Sequence, residues 1–267
     1  MPNEFLDRYG PVALVTGASS GIGQGYTEEL AARGFGLVLS ARRADRLEAL
    51  AARLKAQHGT ETRIVAADLS DPEGPAAILA ATQGDDIGLV VSNAGFNMKG
   101  TFEKTSASRM ARMLTVNCHA PMQIAHGMIP RLKARRAEDK GGGLIVTASV
   151  EGLIGCPYST AYSATKALVV SLCEGLWAEL RDHGIEVLAS CPGATDTEAM
   201  EAANLPASIK QNLQPARECA QLSLDNIANG PRYVPNAHYR ALFEQLTAGP
   251  RPETLIGMER NMRSMAS

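Results

Sequence analysis

No uncharged apolar run in the sequence approaches the ~20 residues that a membrane-spanning helix needs, so no membrane span is expected. Neither sign of charge is in excess: 26 Lys and Arg stand against 28 Asp and Glu, for a formal net charge of −2. That balance argues against a basic footprint for nucleic acid, and no nucleic-acid partner is expected. The one dense basic run, Arg131 to Arg136, is followed by Glu138 and Asp139 and reads as a solvated helix end. Cys-x-x-Cys pairs are absent. The five cysteines, Cys118, Cys156, Cys173, Cys191 and Cys219, are widely spaced and read as reduced thiols rather than a disulfide framework or zinc site. The histidines lack metal-ligand spacing, so no metal is expected. The N-terminal MPNEFLDRYG carries acids and no long apolar core, unlike a signal peptide, which makes the cytoplasm the expected location. Internal repeats and low-complexity linkers are also missing.

What is present is a regular alternation. Hydrophobic residues make up 45% of the 267 and charged residues 20%, a globular balance. Val12–Thr16, Gly36–Ser40, Arg63–Ala67, Leu89–Ser92, Leu144–Ala148 and Glu186–Cys191 read as buried strands. Amphipathic stretches at about 22–33, 44–57, 73–82, 105–134 and 159–182 read as the helices between them. This rhythm predicts an α/β fold: one Rossmann-type, doubly wound parallel sheet with helices on both faces, spanning 1–267 as a single domain. Residues 194–213 are mixed and Pro-interrupted. A helix near 215–229 and a short strand, Arg232–Val234, follow, and the tail from 237 carries no clear signal.

Thr16-Gly17-Ala18-Ser19-Ser20-Gly21-Ile22-Gly23 follows the first strand and opens the first helix. Glycines there let the backbone approach a pyrophosphate, and the helix N-terminus offers N–H groups to that anion. Gly17, Ser19, Ser20, Gly21, Ile22 and Gly23 are therefore cofactor-binding candidates. The acid expected after the second strand is replaced by Ser40-Ala41-Arg42-Arg43. A carboxylate there would repel a 2′-phosphate, whereas arginine welcomes one. NADP(H) is expected over NAD(H), with Arg42 the main contact and Ser40 and Arg43 beside it.

Tyr162-Ser163-Ala164-Thr165-Lys166 puts a phenol and an ammonium one helical turn apart. A phenol with an ordinary pKa near 10 exchanges protons slowly at neutral pH, and the neighbouring cation is expected to lower that pKa for acid–base work. Ser149 ends the fifth strand, on the edge where open α/β sheets bind ligands. Asn93-Ala94-Gly95 follows the fourth strand at the same edge. Asn117 lies in the next helix, where its amide is available to order a water.

Together these residues resemble the short-chain dehydrogenase/reductase family over about residues 9–200. Asp68 and Leu69, in Ala67-Asp68-Leu69, resemble the adenine-holding position, and Asn93, Ala94 and Gly95 its Asn-Ala-Gly motif. Asn117, Ser149, Tyr162 and Lys166 resemble its catalytic tetrad, and Pro192-Gly193-Ala194-Thr195-Asp196-Thr197 its Pro-Gly motif. The resemblance implies that Tyr162 donates or accepts the proton, Lys166 also binds the nicotinamide ribose, Ser149 polarises the carbonyl and Asn117 supports a water relay. It implies cofactor contacts from Pro192, Gly193, Thr195 and Thr197, with Thr197 near the nicotinamide carboxamide. It also implies a homodimer or homotetramer paired through the helices near 105–134 and 159–182.

Substrate contacts are expected from Phe96, Ser149, Tyr158 and Met200, with Met98, Leu153, Ile154, Pro157 and Leu205 as further candidates and 194–213 as a lid. Most are apolar, which points to a small hydrophobic carbonyl or alcohol. Glu151 stands where the family usually has a small residue; it either faces the substrate, repelling acids or pairing with a basic group, or points to solvent. Two rival readings remain: a non-catalytic cofactor-binding protein on the same fold, and a hydrolase built on Gly17-Ala18-Ser19-Ser20-Gly21 with Asp225 and His238. The hydrolase fits poorly, because only one strand precedes Ser19.

Overall fold

The computed structural model describes residues 4–138, 140–201 and 207–266. A short N-terminal helix, α1 (Glu4–Tyr9), leads into β1 (Val12–Thr16), α2 (Gly21–Ala32), β2 (Gly36–Ala41), α3 (Ala44–His58), β3 (Thr62–Ala66), α4 (Gly74–Ala81) and β4 (Ile87–Ser92). Then come α5 (Ala107–Leu114), α6 (Ala120–Ala134), β5 (Gly142–Thr147), α7 (Thr160–Leu180) and β6 (Ile185–Ser190). The strands form a seven-stranded sheet in the order β3-β2-β1-β4-β5-β6-β9, where β9 is Arg232–Tyr233. Every neighbouring pair is parallel. Strands covered on both faces need apolar side chains throughout, and β4 and β5 are buried at every residue. The expected doubly wound sheet is thus the observed one, except that β3, expected to be buried, is an edge strand with no fully buried residue.

The core lies on both faces. Tyr26 and Leu30 of α2 and Leu47, Leu50 and Leu54 of α3 pack against one side, joined by Leu224. Ile78, Ile124, Met128 and Leu132 pack on the other, with Val169 and Cys173 of α7. Each Leu, Ile, Val or Met among them, fully buried, contributes about 1.5–3 kcal/mol. The order reverses between β1 and β4, so a crevice opens beyond their carboxyl ends.

The predicted 105–134 helix is interrupted. Residues 115–119 form one wider π turn, closed by Ala120 N–H donating to the Thr115 carbonyl. Pro121 has no N–H to offer the Asn117 carbonyl one α-turn back, which favours the loosening there. The basic run is also not simply solvated. Arg135 is buried, pairs with Asp86, and donates to the Gly10 carbonyl and to the Gly141 carbonyl at 3.0 Å. A guanidinium can collect several carbonyls at once, and here it closes the amino edge of the sheet.

Beyond β6, β7 (Thr195–Asp196) and α8 (Glu198–Glu201) precede α9 (Ala207–Lys210). β8 (Gln214–Pro215) pairs in parallel with β7, and α10 (Ala216–Asp225) follows. The predicted 215–229 helix stops at Asp225, and 227–229 is a separate tight turn. The tail folds into α11 (Ala237–Ala248) and α12 (Arg251–Ala266). Asn236 caps α11 by accepting from Tyr239 N–H at 3.2 Å. A third apolar cluster, with Val150, Ile154, Cys156 and Phe243 at its centre, glues these helices over the end of β5.

Candidate active site

The carboxyl ends of the central strands are pinned to one another. Thr16 Oγ1 accepts from the backbone N–H groups of Asn93 at 3.0 Å and Ala94 at 3.2 Å. The Asn93 amide donates to the Thr16 carbonyl at 3.3 Å and accepts from the Thr147 hydroxyl at 3.1 Å. β1, β4 and β5 are therefore braced at the point where the glycine loop departs. A Cβ on Gly23 would stand 2.1 Å from the Gly17 carbonyl oxygen, so only glycine lets the loop fold onto α2. Gly17, Ser19, Ser20, Gly21 and Ile22 face the crevice, and Gly23 stands behind them. The start of α2 is left open to an anion.

Arg42 and Arg43 both line the crevice beyond β2, beside the buried Ser40. Arg43, not Arg42, is fastened to the glycine loop: it donates to Ser20 Oγ at 3.0 Å and Ser19 Oγ at 3.3 Å. It also meets Glu198 at 3.4 Å, and Arg46 pairs with the same carboxylate. Asp68 and Leu69 form the facing wall. Burial raises the Asp68 carboxyl, but hydrogen bonds from Ser70 and the charges of Arg42 and Arg112 outweigh it and hold the group below its usual value.

Ser149, Tyr162 and Lys166 converge on the same crevice. Lys166 is 3% exposed and donates to the Thr147 carbonyl at 2.6 Å. Burial pushes its ammonium down to about 8. Its Nζ lies 5.7 Å from the centre of the Tyr162 ring. The lowered phenol pKa expected from this pairing is not what the geometry produces. Burial raises the Tyr162 phenol above its ordinary value, the Glu151 charge raises it further, and the Ser149 hydroxyl, by hydrogen bonding, lowers it. Burial of the phenol itself, with the Glu151 charge, outweighs the cation one turn away.

Asn117 stands behind the wall. Its amide N–H groups donate to the Phe96 carbonyl at 2.9 Å and Thr165 Oγ1 at 3.1 Å, and its oxygen accepts from Phe96 N–H at 3.1 Å. Both amide hydrogens are thus spent on protein, which leaves them none for the expected water. The side chain instead clamps the backbone after Gly95. A Cβ there would stand 3.1 Å from Asn117 Oδ1 and 3.4 Å from Lys166 Nζ.

Pro192, Gly193, Thr195 and Thr197 complete the near rim. The cleft, about 870 Å³, continues past them into an apolar chamber. Phe96, Glu151 and Met200 lie on its wall as expected. Tyr158 does not: it sits at φ 58°, and its hydroxyl donates to Glu259 of α12 at 2.7 Å. Ile154 and Leu153 pack under α11 instead, and Leu205 lies outside the described residues. The rival triad is not assembled, since Asp225 pairs with Arg33 at 2.7 Å while the Ser19 hydroxyl faces Arg43. Tyr239, Leu242, Phe243 and Leu246 of α11, with Met258 and Met262 of α12, form wall that the sequence reading missed. Their spacing at i, i+3, i+4 and i+7 was a usable helical signal. Among the described residues no group of three or more His, Cys, Asp or Glu could hold a metal ion, and no helix is long and apolar enough to cross a membrane.

A phosphate-sized cradle at a helix start, two arginines beyond β2 and an acid on the facing wall fit a phosphorylated dinucleotide laid along the strand ends. The comparisons agree with this architecture. The family model for short chain dehydrogenases matches residues 11–207. A 7beta-hydroxysteroid dehydrogenase of Collinsella aerofaciens is 30% identical over 200 residues, covering 75% of this chain and 74% of its own. A solved 7beta-hydroxysteroid dehydrogenase superposes with a TM-score of 0.86 at 25% identity, covering 95% of this chain and 98% of that one. A short-chain dehydrogenase from Sphingobium yanoikuyae in complex with NADPH has a TM-score of 0.78 and 33% identity, covering 95% of each chain. The chain belongs to the short-chain dehydrogenase family. It is an oxidoreductase of that family.

Proposed function

We propose that the protein is an NADP(H)-dependent oxidoreductase that interconverts a ketone or aldehyde and the corresponding alcohol on a bulky hydrophobic molecule. The observation that carries this reading is the convergence of Ser149, Tyr162 and Lys166 on one cleft whose far end is lined by Arg42 and Arg43. The Sphingobium relative with NADPH supports NADP(H) over NAD(H), and the hydroxysteroid relatives support a large apolar substrate.

A bound nicotinamide ring supplies hydride for reduction and takes it in oxidation. Tyr162, held protonated, gives its proton to the carbonyl oxygen, which the Ser149 hydroxyl orients by hydrogen bonding. Lys166 would hold the ribose side of the cofactor, and it sets its ammonium beside the Tyr162 ring. Asn117 fixes the Phe96 backbone and, with it, the cleft wall that follows Gly95. The aliphatic, Phe and Met wall from α11 and α12 excludes water and fits an apolar body.

The chain is also proposed to work as a homodimer or homotetramer through α5, α6 and α7, where Leu114, Met122 and Leu168 are exposed at 52%, 43% and 38%. The test of the activity is NADPH consumption over a panel of ketones, aldehydes, quinones and steroids, with NADP⁺ reduction by the matching alcohols. Tyr162→Phe is expected to lose at least ~100-fold in turnover while NADPH binding, read by fluorescence, is kept. Full turnover in that variant would overturn the mechanism.

A further inference from the structure

The turn that carries Ser149 also fixes a second polar group in the substrate chamber. Glu151 sits in the tight turn Val150–Gly152, and its backbone N–H donates to Ser149 Oγ at 3.2 Å. The turn has no slack against α7, because a Cβ on Gly152 would stand 2.7 Å from the Lys166 carbonyl. The Glu151 side chain lies on the cleft wall and is 20% exposed, which overturns the reading that it points to solvent. Its Oε2 is shut from solvent and has no hydrogen-bond partner among the described residues. Its Oε1 is 3.9 Å from Lys99 Nζ, whose side chain is half exposed. The wall nearby is apolar, with Cys156, Phe243 and Leu246.

A buried acceptor without a donor is costly, and more so when charged. That cost is recovered when a ligand brings the donor. We propose that Glu151 is a specificity-determining residue: it receives a hydrogen-bond-donating substituent of the substrate, a hydroxyl or an ammonium, while Ser149 and Tyr162 hold the carbonyl. The protein thereby selects ketones carrying such a donor over plain apolar ketones, and disfavours those with a carboxylate at that position. The field of Glu151 at the Tyr162 phenol is consistent with this closeness. The inference rests on the proposed carbonyl–alcohol activity.

The experiment compares kcat/KM for NADPH-dependent reduction of a fused-ring ketone with its hydroxy, amino and carboxy derivatives, substituted at several ring positions. With the unaltered protein, at least one hydroxy or amino ketone should exceed the parent by about tenfold or more, as one hydrogen bond to a charged group allows. The carboxy derivative at that position should fall below the parent. Glu151→Leu should bring the hydroxy-to-parent and amino-to-parent ratios to about one or below. Glu151→Gln, which keeps an acceptor but no charge, should abolish the amino preference and retain part of the hydroxy preference. An NADPH fluorescence titration checks that each variant is folded. Reduction of the parent with no gain from any donor, or a ratio unchanged in Glu151→Leu, overturns the inference alone. No turnover with any carbonyl or alcohol overturns the carbonyl–alcohol reading and this inference with it.

Discussion

Tyr162 is surrounded by groups that keep its proton in place. Burial and the Glu151 charge both favour the neutral phenol, and the Ser149 hydroxyl works against them. A phenol with a raised pKa is an acid in the right form throughout the neutral range. The rate of carbonyl reduction, as kcat/KM, is therefore expected to stay level through neutral pH and to fall only in the alkaline range. Alcohol oxidation needs the phenolate, so its rate should climb with pH over that same range. Above about 8 Lys166 loses its charge, so the climb should be shallower than tenfold per pH unit. Initial rates in both directions from roughly pH 6 to 10 check the signs. Gly193 makes a second residue-level case. A Cβ there would stand 2.1 Å from the Tyr239 ring, and overpacking of this kind costs about 1–3 kcal/mol. Gly193→Ala should lower the melting temperature by several degrees, read by calorimetry, and weaken the seat of α11.

At the level of elements, the turn from β2 to α3 presents its arginines to the same space as the start of α8. Glu198 meets Arg43 and Arg46 there, so a 2′-phosphate would share these cations with a carboxylate of the chain itself. The double change Arg42→Ala with Arg43→Ala should raise the KM for NADPH by at least about tenfold, the loss of charge-assisted contacts. The KM for NADH should change little, and steady-state kinetics with both cofactors gives the comparison. The strands were legible because each is a short apolar run between turn signals, and their bounds agree closely with the observed sheet. The π turn was not, because a propensity reading treats 105–134 as one amphipathic stretch. Its single visible sign is Pro121, one turn past Asn117. α11 does carry a helical stripe at Tyr239, Leu242, Phe243 and Leu246, but nothing in neighbouring residues tells that this stripe faces a ligand cleft more than two hundred residues from the glycine loop.

For the whole molecule, the exposed apolar side chains of α5, α6 and α7 bear on assembly. If these helices pair between subunits, Leu114→Lys combined with Leu168→Lys should reduce the mass in solution toward that of one chain, as light scattering would register. A mass already at one chain for the unaltered protein at micromolar concentration would refute the pairing.

Order along the chain was enough to announce a parallel sheet, a phosphate-binding turn and a Tyr–Lys pair, because strand burial, glycine freedom and helical spacing are local properties written in neighbouring residues. The fate of each group in the cleft was not local. Folding turned Lys166 toward Thr147, spent the Asn117 amide on Phe96 and Thr165, sent Tyr158 to α12, and closed the substrate chamber with helices from the far end of the chain. Partners separated by tens of residues meet only when the sheet edges and helix ends are packed, and it is that packing which decides which polar atoms are paired and which are left for a ligand.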